Sequence, residues 1–585
     1  MKKRTKRKNQ SFLKGAITLT ISMTIGKVIG ALFKVPLATI LGGEGNGYFL
    51  AAYELYIPLY ALATAGFPIA ISRMVSENVA KGRFKDVRQI HRVSIPIFLI
   101  TGSIGLIIMI AATPFYVNYI KAPLGRYAML SLAPTLLFSC LMSIYRGYYE
   151  GLRNMIPTAI SDIIEAVSKL VIGLSLAYAV VKFGMNEYYT KGTVFGRAYE
   201  TESLAKSATL PFAAAGAILG ITIGSIIAYL YLLIDHKLRG DGITDEELAS
   251  SPKASTGRET SKKLIKIAIP IGLGAIIMNV ASFIDVTLIM KRLDHIMQTT
   301  PQLLLDNYKN LINPEIVQRG NVHVFLYGCY GCALTIMMLI PAVTQAFSIS
   351  ALPSVTAAWA GGEYKKIKHS IESVLKITTL VTIPSGLGIM VLSYPIMNLA
   401  YGSSGTESEV IIASNVLVLL GVAAIFMSTS TPICSMLQAV GRVDLPVKLL
   451  SVGVLMKIGL NYLLVGIPEI NIQGAGAGTL VCYAFVTIAA MYCLCKETQI
   501  IPDFNLVLIK PLMASITCAA GAYVSHCVLS RLMPAKLATM MAVIIAIIIY
   551  VISLFLFKAI TAYDIKMIVK SKKIVKTLEK YGLIG

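Results

Sequence analysis

Residues 12–41 read FLKGAITLTISMTIGKVIGALFKVPLATIL, an apolar run long enough to cross a lipid bilayer as one helix. Lys27 lies near the middle of this run and Lys34 in its second half. The two lysines are seven residues apart and therefore share one face of the predicted helix. Because each ammonium group would cost about 3 kcal/mol if it faced lipid at the bilayer midplane, we expect this face to line a water-filled cavity. A cationic cavity inside a membrane predicts an anionic cargo.

The composition of the chain is that of an all-α polytopic membrane protein. Of its 585 residues, 56% are hydrophobic and 14% are charged, and apolar runs of spanning length recur along the chain. The net charge of +23 does not indicate nucleic-acid binding, because the basic residues gather in short loops between the apolar runs. Topology signals and attraction to anionic membrane lipids account for them. The nine cysteines are scattered and the six histidines form no cluster, so we expect no metal site.

The apolar runs predict about fourteen membrane-spanning helices, in two series of six followed by two more. The basic start and the long first run favour an uncleaved helix over a secretory signal. The predicted parts are a basic N-terminus at 1–11, an N-lobe at 12–234, a linker at 235–263, a C-lobe at 264–495, the last two helices within 496–558 and a basic tail at 559–585. Placing both termini in the cytoplasm puts most Lys-rich and Arg-rich loops on that side. Loops 182–207 and 291–321 then lie outside.

The two series of six helices look like copies of each other. At a shift of 280 residues, Gly82 corresponds to Gly362 and Lys85 to Lys365. Six helices separate the matched positions, and since six is even the copies share one orientation in the membrane. A parallel repeat of this kind predicts two lobes around a central cavity. It favours a transporter that works by alternating access over an enzyme.

Lysines near the middle of the predicted helices are the candidates for substrate binding. Lys169 and Lys457 each lie about halfway along their helices, as Lys27 does, so the three share the bilayer midplane. Together with Lys34 they form the predicted cationic lining of the cavity.

Acidic residues at matching depths offer an alternative interpretation, in which the charges neutralise one another. Glu54 lies at the depth of Lys34, and Glu165 precedes Lys169 by four residues, so either pair could be a structural ion pair between or within helices. Asp162 lies on the same helical face as Glu165.

Three further charged residues lie at helix ends or in an outer half of a helix. Asp285 is a candidate counter-charge or ligand of a coupling cation. Arg73 and Arg146 lie at predicted cytoplasmic ends, where snorkelling to the surface is usual. The alternative is that they form a mouth that collects anionic head groups.

Six stretches of the sequence are characteristic of a known family. They are GGEGNGYFLAAYE, AGFPIAISRMVSENVAKGRF, YRGYYEGLRNMIPTAISDIIEAV, IPAVTQAFSISALPSVTAAW, YGSSG and MLQAVGR. Through them the chain from Phe12 to about Lys558 resembles the polysaccharide-flippase branch of the MOP exporter superfamily. More narrowly, it is similar to the Gram-positive stage V sporulation protein B and MurJ-type lipid II flippases.

The resemblance implies a fold of fourteen helices and transfer of an undecaprenyl-pyrophosphate-linked peptidoglycan precursor to the outer leaflet of the cell membrane. It also implies that cationic residues of the first helix line the cavity, with Lys27 at one such position and Phe33 and Lys34 on either side of another. Lysine binds as a point charge and not in the bidentate manner of arginine. The last two helices would form a groove for the lipid tail. Cell-wall synthesis proteins are further candidate partners.

No GxxxxGK[ST] motif is present, which indicates that ATP does not drive transport. We expect no cofactor, and the driving force to be the membrane potential or a coupling monovalent cation. Three alternatives stay open. The cargo could be another undecaprenyl-linked glycan, such as a teichoic or capsular unit. A MATE-type drug exporter should rely on acidic residues instead. A membrane glycosyltransferase or wall-synthesis scaffold should present a loop carboxylate, and no motif surrounds Asp306 or Glu315.

Overall fold

The computed structural model is almost entirely helical. It describes residues 12–64, 66–308, 311–362, 364–403 and 406–559. The predicted basic N-terminus at 1–11 and residues 560–585 of the predicted tail lie outside the described residues.

The helices of the first half alternate with short connections. They are α1 Phe12–Thr64, α2 Phe67–Ala80, α3 Phe84–Tyr119, α4 Arg126–Gly151, α5 Ile156–Ser168, α6 Leu174–Lys191, α7 Glu202–Arg239, α8 Asp245–Ser250, α9 Gly257–Thr299, α10 Pro301–Tyr308 and α11 Pro314–Gln318. Shorter elements complete this half: the 3-10 turn Pro123–Gly125, the π-helical turn Lys169–Gly173, and the antiparallel strands β1 Thr193–Val194 and β2 Arg197–Ala198.

The second half contains nine further helices within the described residues. They are α12 Val322–Met337, α13 Leu339–Ala360, α14 Tyr364–Val391, α15 Ser393–Tyr401, α16 Glu407–Ala439, α17 Asp444–Leu464, α18 Gln473–Thr498, α19 Lys510–Leu529 and α20 Ala535–Leu556. A π-helical turn at Asn505–Ile509 precedes α19.

The chain divides into two compact units. Unit 1 contains the described residues up to Gln298 together with Ile312–Gly328, and unit 2 contains Thr299–Leu311 and the described residues from Cys329 onward. These units are defined by contacts, whereas the predicted lobes at 12–234 and 264–495 were defined by the repeat. The lobe boundaries stay a prediction.

Twelve stretches of the described chain are long and apolar enough to span a membrane. The first, Ile25–Ala80, has 56 residues, which is more than twice the number that one crossing needs. Its backbone leaves the helical geometry at Gly42, with φ 59° and ψ −170°, and again at Gly66, with φ 82°. Glycine tolerates these positive φ angles because it has no Cβ. The all-α, multi-pass prediction is confirmed, and the count of about fourteen spans stays a prediction.

In unit 1, α4 is the central helix. It packs against α1, α2, α3 and α7, and most of its side chains are buried. Its sequence is apolar around most of its circumference, which is the pattern of a helix enclosed by others. In unit 2, α16 has the corresponding place, packed against α13, α14, α15 and α18. The last two helices, α19 and α20, pack on each other, and α19 packs on α14. The predicted lipid-tail groove on them stays a prediction.

The two ends of unit 1 are held by contacts between distant segments. At one end the two predicted external loops meet: Thr201 Oγ1 donates to Glu315 Oε1 at 2.7 Å, and Asn313 Nδ2 donates to Ser203 Oγ at 2.8 Å. This agrees with their predicted placement on one side of the membrane. Which side that is stays a prediction.

At the other end, the start of α3 meets the predicted cytoplasmic linker. Lys85 Nζ donates to Ser251 O at 2.9 Å, and Ser255 N donates to Asp86 Oδ1 at 2.8 Å. The linker is therefore a structured part of unit 1.

Candidate functional site

A cationic site in unit 1 lies where Lys169 meets α1. Lys169 begins the π-helical turn between α5 and α6, and its ammonium nitrogen lies 5.4 Å from the centre of the Phe33 ring. The same nitrogen lies 3.9 Å from where a Cβ on Gly30 would be. The ammonium group therefore rests against α1 at a position that has no side chain. Single π-helical turns are often found at functional sites, because the extra residue redirects a side chain.

Lys169 approaches α1 between the two lysines that the sequence analysis singled out. Lys27, Gly30 and Lys34 are spaced i, i+3 and i+7, so they lie on one face, with Gly30 about one turn from each lysine. Lys34 and Glu165 are both within electrostatic range of Lys169. Lys27 and Lys34 are exposed, and Lys169 is partly buried. We call Lys27, Lys34 and Lys169 the lysine triad.

The charges of the triad are not balanced by an equal number of carboxylates in contact. Lys27 and Lys169 form no ion pair with the residues that the structure describes. Lys34 and Lys169 are within electrostatic range and repel each other, and a bound anion would relieve that repulsion. The arrangement can therefore bind a multiply charged anion such as a pyrophosphate.

Arg146 organises a second, separate charged cluster. Its Nη2 lies 2.9 Å from Asp162 Oδ1 and 3.2 Å from Glu165 Oε2, and its Nε donates to Ser161 Oγ at 2.9 Å. The side chain of Arg146 is only 19% exposed. The Glu165 carboxylate thus forms its ion pair with the arginine of α4, although it is also within electrostatic range of Lys169. This ion pair joins two different helices, and spacing within α5 could not reveal it. The alternative pairing of Glu165 with Lys169 stays a prediction.

The role of Arg146 at a cytoplasmic mouth stays a prediction. The Arg146 guanidinium already forms ion pairs with two carboxylates. Arg73, the other residue predicted there, is exposed on α2. No ion pair of Arg73 is present within the described part of the chain.

A row of aromatic side chains follows α1, starting at the triad. The ring centres of Phe33 and Phe49 are 6.1 Å apart, those of Phe49 and Tyr53 5.0 Å, those of Tyr53 and Tyr56 6.1 Å, and those of Tyr56 and Tyr60 5.5 Å. We call these five residues the aromatic row. Glu165 is within electrostatic range of its three tyrosines. The sequence analysis missed this row, although the three- and four-residue spacing of its tyrosines is visible in the sequence.

A buried carboxylate holds the break in α1 in place. Glu44 is 2% exposed, and Arg319 Nη2 donates to its Oε2 at 2.9 Å. Asn321 Nδ2 and Tyr48 Oη donate to its Oε1 at 2.8 and 3.1 Å. This network ties the residues after Gly42 to the segment before α12. Glu44 was not among the predicted site residues. Its signal in the sequence was a single acidic residue within the glycine-rich stretch GGEGNG.

Glu54 and Asp285 lie on α1 and α9 of unit 1. Glu54 Oε1 accepts a hydrogen bond from Tyr327 Oη at 3.4 Å, and its predicted ion pair with Lys34 stays a prediction. Asp285 is 2% exposed. Its role as a counter-charge or cation ligand stays a prediction as well.

Two lysines of unit 2 lie inside membrane-spanning helices. Lys457 is partly buried on α17, with Tyr483 in its electrostatic range. The role of Lys457 in lining a cavity stays a prediction. Lys376 of α14 is 3% exposed and was not selected from the sequence. An ionisable residue buried in a spanning helix is a candidate functional residue. The sequence signal for it was a lysine among the apolar residues of what is now α14.

Known proteins resemble this chain in sequence along most of its length. A family model described as polysaccharide biosynthesis protein matches residues 12–195, and one described as lipid II flippase MurJ matches residues 327–554. Lipid II flippase MurJ of Bacillus subtilis strain 168 is 23% identical over 475 residues, which cover 79% of this chain and 78% of that protein. Stage V sporulation protein B of the same organism is 23% identical over 492 residues, which cover 82% of each chain.

Solved structures of other proteins share the fold of this chain. The inward closed conformation of lipid II flippase MurJ matches with a TM-score of 0.59 and 14% identity, covering 92% of this chain and 98% of that chain. The inward-facing conformation of a multidrug resistance MATE family transporter of the MOP superfamily matches with a TM-score of 0.59 and 15% identity, covering 83% and 98%. The chain is thus similar in sequence to MurJ and stage V sporulation protein B, and it shares its fold with the solved structures of MurJ and of a MATE family transporter.

Proposed function

We propose that this protein is a flippase of the cell membrane. In this proposal it moves an undecaprenyl-pyrophosphate-linked peptidoglycan precursor, lipid II, from the inner to the outer leaflet by alternating access. The observation that carries the proposal is the lysine triad. Its third member approaches α1 at Gly30, between the other two, and two of its ammonium groups form no ion pair within the described residues.

The triad suits the pyrophosphate of such a lipid by charge and by position. Lys27 and Lys34 are exposed on one face of α1, so a ligand can reach both. Lys169 is held beside them by the π-helical turn and the Phe33 ring, so it contributes a fixed charge. Ammonium groups bind phosphate oxygens without demanding one orientation. This tolerance suits a carrier that must release its cargo.

The aromatic row supplies a surface for the rest of the head group. Tyrosine rings combine an apolar face with a polar hydroxyl, which is the combination that a glycan with both C–H and O–H surfaces can use. Tyr53, Tyr56 and Tyr60 extend from the triad side toward the Arg146 cluster. In this proposal the pyrophosphate binds the triad, the glycan contacts the row, and the polyprenyl chain stays in lipid.

The proposed driving force is the membrane potential. An inside-negative potential favours outward movement of an anion by about 2.3 kcal/mol per charge per 100 mV, so two net charges gain about 4 to 5 kcal/mol. Coupling to a monovalent cation is the alternative, with the buried Asp285 as the residue to test.

A second candidate cargo is another undecaprenyl-linked glycan. The chain is 23% identical both to MurJ and to stage V sporulation protein B, and the triad would accept any pyrophosphate-linked lipid. A role in the vegetative wall and a role in the spore cortex are both compatible with this site. A MATE-type exporter of cationic drugs is disfavoured, because a triad of lysines repels such cargo.

The test of the proposal is transport in liposomes. The purified protein is reconstituted with fluorescent lipid II in one leaflet, and its appearance in the other leaflet is measured with and without an imposed potential. A second sample carries a fluorescent undecaprenyl-pyrophosphate disaccharide without the peptide. We expect protein-dependent transfer of lipid II that is faster when the receiving side is positive. Equal transfer in protein-free liposomes, or transfer of the peptide-free lipid alone, would contradict the lipid II assignment.

A further inference from the structure

A second cationic site lies at the end of unit 1 where α3 begins and α7 ends. A cavity of about 600 Å³ opens there, and its charged lining residues are Arg88, Arg92, Lys237, Arg239 and Asp241. Among the described lining residues, four permanent cations therefore face a single carboxylate. The cavity is distinct from the lysine triad. Gly224 of α7 faces Ser168 and Lys169, whereas the cavity begins at His236, twelve residues or about 18 Å further along the helix.

Two of the four cations are already engaged. Arg88 binds Asp241 through two hydrogen bonds, from Nε at 2.8 Å and from Nη2 at 3.1 Å. Arg239 Nε lies 3.2 Å from Asp235 Oδ1. By contrast, Arg92 and Lys237 are exposed and form no ion pair with any residue that the structure describes. The cavity thus has two cations available to a ligand, beside an arginine that Asp241 holds in place.

A pair of stacked histidines forms one wall of this cavity. The rings of His91 and His236 are 4.6 Å apart and inclined by 26°. His236 Nδ1 lies 3.0 Å from Tyr149 Oη. His91 Nε2 is buried and has no hydrogen-bond partner within the described chain. Buried polar atoms are normally paired, so an oxygen-bearing ligand in the cavity would satisfy this nitrogen.

Helix-end electrostatics do not account for the whole cluster. Basic residues at the end of α7 favour the negative end of that helix dipole, which explains Lys237 and Arg239. Arg88 and Arg92 are instead the fifth and ninth residues of α3, beyond the turn in which the dipole acts and far from the negative end of that helix. An external anion is the partner that suits both sets.

The location of the cavity and the chemistry of its lining indicate what the anion is. The apolar part of α3 begins at Ile95 and that of α7 ends at Ile234, so the cavity lies at the level of the lipid head groups. Arginine, lysine and histidine together recognise phosphate oxygens through charge-assisted hydrogen bonds. We infer that this cavity binds a phosphate-bearing anion, supplied by a lipid head group or by a soluble phosphate compound. This inference is independent of the flippase proposal.

Binding to the full-length protein tests the inference with two probes. Inorganic pyrophosphate is titrated into the protein in neutral detergent and followed by calorimetry, with Lys27→Ala and Lys34→Ala in every sample so that the lysine triad does not contribute to the binding. In parallel, hydrogen exchange at residues 84–95 and 236–243 is compared in phosphatidylcholine nanodiscs with and without phosphatidylglycerol. The variant Arg92→Gln/Lys237→Gln removes the two available cations. The control Arg197→Gln/Lys206→Gln removes the same charge at the other end of α7, where both residues are exposed.

We expect the wild type and the control to bind at least one probe and the double variant to bind it about tenfold more weakly. If the double variant binds pyrophosphate more weakly, the ligand is a soluble phosphate compound. If the double variant loses the protection that phosphatidylglycerol gives, the ligand is a lipid head group. His91→Phe keeps an aromatic ring in the stack and removes both ring nitrogens, so it should also weaken binding. Absence of binding by both probes, or equal binding by wild type and double variant, would overturn the inference.

Discussion

Lys169 and Gly30 meet on one face of α1, with the lysine ammonium nitrogen 3.9 Å from the position of a Cβ on the glycine. Gly30 lies about one helical turn from Lys27 and one from Lys34. This contact therefore assembles three lysines from two segments that are far apart in the sequence. The proposed head-group site depends on it more than on any other contact in unit 1.

The first prediction concerns the space that Gly30 leaves open. Gly30→Leu places a branched side chain where the Lys169 ammonium group rests, so the triad should separate and lipid II transport should fall at least about tenfold. Transport in liposomes and the thermal unfolding midpoint are measured together.

The matched control is Gly26→Leu, one turn earlier on the same helix. A Cβ at Gly26 meets nothing within 4 Å among the described atoms, so this variant should transport normally. Equal transport by the two leucine variants would show that the contact between Lys169 and α1 is not required.

The second prediction concerns the charge of Lys27. Lys27→Ala should abolish rescue of cells depleted of their lipid II flippase, because an exposed cation of the triad is lost, whereas Lys27→Arg should retain most of it. Membrane abundance of each variant is measured by immunoblot. Lys182→Ala, an exposed lysine on α6, is the control. Normal rescue by Lys27→Ala would remove this residue from the mechanism.

The third prediction concerns the Arg146 cluster. Arg146→Gln leaves the carboxylates of Asp162 and Glu165 without the arginine that both of them bind, which should destabilise unit 1 by about 2 to 3 kcal/mol. The loss should appear as a lower midpoint of thermal unfolding in detergent.

Neutralising the partners tests the cause of that loss. Adding Asp162→Asn and Glu165→Gln to the arginine variant should recover part of the stability, because the two carboxylates no longer repel each other. A triple variant less stable than Arg146→Gln would argue that the arginine acts through packing alone.

The fourth prediction concerns acid sensitivity at the end of α7. Burial by itself raises the pKa of Asp241, but the hydrogen bonds and charge of Arg88 outweigh it and hold the pKa below its ordinary value. A lowered folded-state pKa stabilises the structure above the unfolded-state pKa, and this stabilisation is lost as the pH falls through the folded-state value. The protection of amides 240–243 from hydrogen exchange, relative to their intrinsic rates, should therefore decrease in acid, below the usual titration range of an aspartate. In Asp241→Asn the protection should be lower at neutral pH and should not show this acid transition.

The fifth prediction concerns the buried pair of Glu44 and Arg319. Glu44→Ala leaves the arginine, Asn321 and Tyr48 without their acceptor and should cost about 3 kcal/mol locally. Residues 312–321 should then be cleaved faster in limited proteolysis. Glu315→Ala, whose bond to Thr201 is exposed, should have a much smaller effect. Equal cleavage of the two variants would mean that Glu44 does not anchor this segment.

The predictions that depend on the sequence of a single helix agree with the structure. The apolar runs predicted the multi-pass helical fold, and the seven-residue spacing placed Lys27 and Lys34 on one face of α1. The ion pair of Glu165 with Arg146 could not be predicted, because the i, i+4 rule describes neighbours within a helix and Arg146 comes from another. It missed the aromatic row and Glu44, since their partners lie across a break in α1 or far along the chain.

The sequence by itself determined that the chain crosses the membrane many times and that two lysines share one face of its first helix, because hydrophobic length and helical periodicity are local properties. The tertiary structure alone decided that Lys169 reaches Gly30, that Glu165 binds Arg146 and that four cations surround a cavity at the end of α7. Periodicity specifies which face of a helix a side chain occupies, but the packing of helices against one another decides what that face meets.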